Sequence, residues 1–110
     1  MKLPNINQAI VPSEKLRDYL LSFSHPVGKF KAVFFRTLGY TDKNWQQLEL
    51  AIRSLLKQDA FERERTNFGQ KYEIRGTIVG PSGKQANIIT IWIIREGEEV
   101  PRFITAYPGD

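Results

Sequence analysis

The chain has 110 residues, 41% of them apolar and 25% charged, with a formal net charge of +4. That length and balance describe one folded domain over residues 1–110 and exclude a disordered chain. The absence of cysteine, of an 18-residue apolar run and of a basic-then-apolar leader argues against disulfides, a membrane span and a secretion signal, and fits a cytoplasmic setting.

In chain order, Met1–Ile10 reads as an irregular lead-in without clear periodicity. A first helix is predicted over Glu14–Leu21, capped by Ser13, with Leu16, Tyr19, Leu20 and Phe23 on one face. The connection that follows holds Pro26, which disfavours helix at His25, and Gly28, which permits a tight approach. A second helix is predicted from Gly28 to Leu38, with Phe30, Val33, Phe34 and Leu38 as its buried stripe and Gly39 as its stop. Lys29 and Arg36 then share the opposite side, and Lys31 lies at the border of the stripe. A third helix, Asp42–Lys57, is capped by Thr41 and buries Trp45, Leu48, Ile52, Leu55 and Leu56.

After Asp59 the hydrophobic period changes from 3.6 to 2. Gln70–Val79, Lys84–Arg95 and Arg102–Tyr107 read as strands, and Phe61–Phe68 holds a candidate fourth. Gly80–Gly83 and Glu96–Glu99 read as hairpin turns. The implied fold is α+β, with N-terminal helices packed on one face of a three- to four-stranded antiparallel β-meander.

Pairing Val79 with Lys84 and Arg95 with Val100 sets a register in which Tyr72, Ile74, Ile78, Ile89, Ile91, Ile93, Ile104 and Ala106 face the helices. The other face then carries Lys71, Glu73, Arg75, Ile88, Thr90, Trp92, Phe103, Thr105 and Tyr107. A slip of one residue would exchange the faces, and the isoleucine alternation favours the register chosen. Aromatic rings among cations on an open sheet suit unpaired bases and phosphates. A partner chain or the N-terminal segment covering the same face is the competing reading.

Residues 1–58 hold nine lysines and arginines against four acids, and no acid lies between Asp18 and Asp42, where Lys29, Lys31 and Arg36 sit. This is a phosphate footprint or a solvated helix face. His25, the one histidine, is of the side-chain type that suits a general base or acid, or simply a surface position. Lysines at a helix start oppose its dipole unless an anion is present. One histidine and scattered carboxylates make no zinc or two-metal ligand set, so neither a metal nor another cofactor is expected.

The run His25-Pro26-x-Gly28-Lys29-x-Lys31-Ala32, followed by Phe34, resembles the helical signature of small bacterial domains of unknown function. These are similar to polymorphic-toxin C-terminal domains of the type 50 group. The ending Pro101-Arg102-x-x-Thr105-Ala106-Tyr107, after the Trp92 strand, resembles their last strand. The resemblance spans about residues 2–108. It implies the barnase/EndoU/colicin/RelE ribonuclease fold, with RNA on the helix-free sheet face, and nominates His25, Lys29, Lys31, Thr105 and Tyr107. One departure stands out: the family pattern has a second histidine where this chain has Phe30.

A metal-free ribonuclease needs a base for the 2′-hydroxyl, an acid for the leaving oxygen and cations for the charged transition state. His25 or Glu73 is the candidate base. Lys29, Lys31 and Arg75 would hold phosphate, Thr105 and Tyr107 would orient it, and Thr90, Trp92 and Arg102 would bind the rest of the substrate. RNA and a cognate inhibitor are the implied partners. The alternative is a non-catalytic interaction module, a homodimer through the aromatic sheet face. No Walker loop, dinucleotide fingerprint or nucleophilic-serine motif occurs, which disfavours ATP hydrolysis, redox and α/β-hydrolase chemistry.

Overall fold

The structure, a computed structural model, describes residues 1–26 and 29–109. Helix α1 (Ser13–Lys15) continues into a π-helical turn (Leu16–Leu20), closed by Leu21 N–H donating to the Leu16 carbonyl at 2.9 Å. The cap position is Pro12 and Ser13 is the first helical residue, one place earlier than expected. The wide turn brings Leu16, Leu20 and Leu21 all into the core and leaves Phe23 exposed.

Helix α2 (Lys29–Thr37) corrects the expected stripe. Ala32, Phe35 and Leu38 are buried, whereas Phe30 is 74% and Val33 56% exposed. The expected start at Gly28 lies outside the described residues. The way the helix ends explains its rotation. Gly39, at φ 96°, lets Tyr40 N–H reach back to the Phe35 carbonyl at 3.1 Å, a closure that packs the residue beyond the glycine against the last turn. Tyr40 and Phe35 thus enter the core together. A stripe read inside the helix does not contain that constraint.

The third helical segment follows its sequence closely: a 3₁₀ turn (Asp42–Asn44), helix α3 (Trp45–Ser54) and a closing 3₁₀ turn (Leu55–Lys57). Thr41 Oγ1 accepts from Lys43 N–H, and the Asn44 side chain accepts from Thr41 N–H at 2.7 Å, a reciprocal cap. Leu48, Ile52, Leu55 and Leu56 are buried, with Trp45 partly so.

Four antiparallel strands follow in spatial order, β1 (Ala60–Thr66), β2 (Gly69–Val79), β3 (Gln85–Arg95) and β4 (Arg102–Pro108). The β2–β3 register departs by one residue from the expected pairing. Val79 faces Gln85 and Ile74 faces Thr90, because Gly80 pairs with Lys84 around the three-residue loop 81–83. Gly83 supplies the left-handed residue that such a loop needs, at φ 87°. A one-residue shift turns the whole strand over. Ile88, Thr90 and Trp92 therefore face the helices, and Ile89, Ile91 and Ile93 face away. Around a Cβ added to Gly83 there is open space, so Gly83→Ala tests backbone strain alone. The expected cost is about 1–2 kcal/mol, read from urea unfolding.

Between β3 and β4 the expected pairing holds at Trp92 with Phe103 and Ile93 with Arg102, then slips at a bulge. Beyond it Ile91 pairs with Thr105 and Thr90 with Ala106. Ile104 falls in the bulge, so Phe103 and Ala106 are buried and Thr105 and Tyr107 stay on the helix-free face. The helix-side core gathers Ile74, Ile78, Trp92 and Phe103 from the sheet with Leu16, Phe35, Leu48 and Ile52 from the helices. The lead-in belongs to this same core through Leu3, Ala9 and Val11, and bridges to the β4 edge at Ile10 and Arg102. It therefore leaves the opposite face of the sheet uncovered. Among the described residues no helix is long and apolar enough to cross a membrane.

Candidate functional site

The helix-free face has an apolar floor with a polar group on each side. Strand alternation lines Ile89, Ile91 and Ile93 along the centre, each only 7–8% exposed beneath the longer side chains around them. On the β1–β2 side, Arg63 donates to Glu73 Oε1 at 3.0 Å, and Arg75 donates through Nε to Glu73 Oε2. Arg63 also reaches the Tyr107 hydroxyl at 3.2 Å, spanning the face from β1 to β4. That bond to Tyr107 is the main reason its guanidinium is held above its ordinary pKa. Both Glu73 oxygens are thus engaged, which casts Glu73 as the residue that orients two guanidiniums.

On the β4 side, Lys31 comes over the sheet edge from α2. Its ammonium donates to the Thr105 hydroxyl and to the Tyr19 hydroxyl, each at 2.9 Å. The Lys31 bond, foremost, pulls the Tyr19 phenol below its ordinary pKa; burial opposes this, and Thr105 and the Lys15 charge add to it. His25 meets the Tyr19 ring edge-on with centroids 4.9 Å apart. A lysine, a hydroxyl and an acidified phenol therefore converge at the rim, with an imidazole behind the phenol. Thr105 and Tyr107 lie two residues apart on one strand face, roughly 7 Å. Thr105 and Glu73 both pair across Ile91, so about 10 Å of sheet separates them.

Of the residues singled out from sequence, Lys31, Glu73, Arg75, Thr105 and Tyr107 share this face, and His25 joins through Tyr19. Lys29 sits on the exposed side of α2 with its ammonium 5.2 Å from the Phe30 ring centre. Arg102 is tied to Glu98 by two bonds at 2.9 and 3.1 Å, at the far end of β4. Thr90 and Trp92 are corrected outright. Both are fully buried; Trp92 Nε1 donates to Thr90 Oγ1 at 2.8 Å, and Thr90 donates to the Ile74 carbonyl at 2.9 Å. With Phe103 also in the core, the rings left on this face are Tyr107 on β4 and the exposed Phe61, which pairs with Glu73 across β1 and β2. The floor is isoleucine.

Sequence reasoning missed Tyr19 and Arg63. Tyr19 stands at the edge of an apolar helix stripe, where a phenol reads as packing. Arg63 lies in the irregular stretch between Glu62 and Arg65, where the β1–β2 register shifts. Neither position carries a motif. Among the described residues no group of three or more His, Cys, Asp or Glu side chains is placed to hold a metal ion.

A family model described as "Domain of unknown function (DUF6883)" matches residues 2–110. No curated protein matches the chain. Among solved structures, a chain of a "contact-dependent growth inhibition toxin - immunity protein complex from Klebsiella pneumoniae 342" is similar, with a TM-score of 0.71 and 20% identity over 96% of this chain and 97% of that one. At that identity the likeness is one of fold.

Proposed function

As the chain belongs to the DUF6883 family of domains of unknown function, we propose from its own site that it is a toxin-type, metal-independent ribonuclease acting on single-stranded RNA. The carrying observation is the Lys31 ammonium bonded at once to the Tyr19 and Thr105 hydroxyls, at the rim of a sheet face that also bears Arg63, Arg75 and Tyr107. The fold shared with a chain of a toxin–immunity complex supports the toxin-type part of this reading and makes a cognate inhibitor the expected protein partner.

The chemistry follows from those groups. Tyr19, once ionised, takes the proton of the ribose 2′-hydroxyl, and the freed oxygen bonds to the adjacent phosphorus. The bond from phosphorus to the 5′-oxygen breaks, and that oxygen receives a proton from the His25 imidazolium. The products are a 2′,3′-cyclic phosphate and a 5′-hydroxyl end. Lys31, Arg63 and Arg75 offset the charge on the phosphorane, and the Thr105 and Tyr107 hydroxyls orient it.

Purified protein is expected to cut single-stranded RNA in excess EDTA and leave cyclic-phosphate ends. Tyr19→Phe, which removes the hydroxyl and keeps the ring against His25, should slow the cut by roughly 100-fold or more. RNA that stays intact through long incubation at high protein concentration rules the activity out.

A further inference from the structure

Helix α2 is apolar on two sides. Ala32 and Phe35 are buried, yet Phe30 and Val33 stand exposed on the outer side, and Phe23 is exposed on the segment leading to the helix. A helix apolar all round is normally covered, and an uncovered apolar patch marks an interaction surface. Each exposed ring is matched with a cation. The Lys29 ammonium lies 5.2 Å from the Phe30 ring centre, and the Arg36 guanidinium 4.7 Å from that of Phe23. We propose that this outer side of α2 is an exosite for single-stranded RNA, holding the nucleotides on the 3′ side of the cut. The direction of the strand rests on the ribonuclease reading, but the binding test does not.

Three observations carry it. First, a single strand repeats a phosphate and a base, and proteins that hold one without reading its sequence combine cations with aromatic rings. Two ring–cation pairs on one side of the molecule suit that repeat, since a phosphate drawn to the cation brings its base to the ring. Second, the charge is of one sign. No residue from 19 to 41 is acidic, and among the described residues neither Lys29 nor Arg36 forms an ion pair. Asp18 and Asp42 line the hollow beside Arg36 and would repel phosphate there, which favours the α2 ridge as the path.

Third, the surface is continuous with the cleavage site. Lys29 N–H donates to the His25 carbonyl at 3.1 Å, so the outer side begins beside the proposed acid. In the cleavage chemistry His25 protonates the departing 5′-oxygen, which belongs to the nucleotide after the cut. The strand beyond that oxygen then meets Lys29 and Phe30.

Other occupants fit less well. A second copy docking by a twofold axis would set Lys29 and Arg36 against like charges. An anionic lipid surface suits the net charge, but it gives no reason for the rings to be paired with cations on both chain sides of His25.

The test uses a probe that cannot be cut, a fluorescein-labelled 2′-O-methyl oligonucleotide of mixed sequence, about 12 nucleotides long. Its binding is followed by anisotropy. Phe30→Ala should weaken binding about tenfold and, because the ring is exposed, leave the thermal midpoint nearly unchanged. Lys29→Gln and Arg36→Gln should each lower the slope of log affinity against log salt by about 0.7. Equal probe affinity in the native protein and Phe30→Ala overturns the proposal. So does a Phe30→Ala protein that binds the probe normally but no longer binds phosphatidylglycerol vesicles, or that turns a native dimer into a monomer.

Cleavage gives an independent reading. With a substrate extended past the cut, Phe30→Ala should raise KM about tenfold and leave kcat unchanged. A substrate ending just past the cut should not feel the change, and an equal effect on both substrates would also overturn the proposal. The two readings can fail separately. Probe binding that depends on Phe30 without any RNA cleavage removes the ribonuclease and keeps the exosite. Cleavage with one KM shared by the native protein and Phe30→Ala does the reverse.

Discussion

Lys31→Met is expected to reduce single-turnover RNA cleavage by roughly 100- to 1,000-fold while the protein remains folded. Methionine keeps most of the length and apolar stem of lysine and removes the ammonium, so packing over the sheet edge is largely preserved. What disappears is the bridge between Tyr19 and Thr105, and with it the main cause of the lowered phenol pKa. The substitution thus removes a cation from the transition state and makes the phenol harder to ionise.

A second readout separates this effect from a loss of packing. The 295 nm absorbance of Tyr19 should titrate below the usual tyrosine value of about 10 in the native protein and move upward in Lys31→Met. Tyr19→Phe identifies its share of the signal. The stability linkage has a definite sign. A phenol with a depressed folded pKa contributes stability that is complete above about pH 10 and is lost as pH falls through the folded value. Urea unfolding of both proteins at the assay pH measures that contribution directly and separates it from lost activity in Lys31→Met. Unchanged cleavage in a variant whose phenol titration has moved would dissociate the cluster from catalysis.

Trp92→Ala is expected to lower the unfolding free energy by about 3–5 kcal/mol, a large part of the roughly 5–15 kcal/mol typical of a domain. The indole is fully buried, meets Phe103 edge-on with centroids 5.3 Å apart, and donates its N–H to Thr90. Truncation leaves a cavity between sheet and helices and takes away the donor that Thr90 accepts from. Urea unfolding measures the loss directly. The opposite outcome is equally concrete: normal stability with weakened RNA binding would mean that the ring is presented to solvent, which the register forbids.

That residue also shows where reading the chain stopped. The isoleucines at 89, 91 and 93 alternate as cleanly as a buried face should, and they pointed to the helix side. The deciding quantity was the length of one hairpin loop, three residues instead of four. A loop carrying proline, serine and two glycines allows either closure until the strands dock. Once the shorter loop forms, the polar or aromatic members of β3 turn inward, where Thr90 and Trp92 satisfy each other, and the isoleucines turn outward under a cover of long side chains. On β4 the pairing at Phe103 was legible from the turn. The bulge at Ile104 was not, because it exists only in the pairing of β4 with β3.

From the sequence alone came the α+β architecture, the extent of the third helix with its Thr41 cap, an antiparallel meander of three strands with a candidate fourth, and the presence of Lys71, Glu73 and Arg75 together on one face of β2. These rest on period, capping and turn chemistry, which act between residues close in the chain. The tertiary structure decided the rest: which face of α2 is buried, which face of β3 is open, and that Tyr19 and Arg63 belong to the site. The contacts responsible join Phe35 to the core beside Tyr40, Lys31 to a strand 74 residues away and Arg63 to one 44 residues away. Pairings over such separations exist only once sheet and helices have packed, and a local pattern holds no record of them.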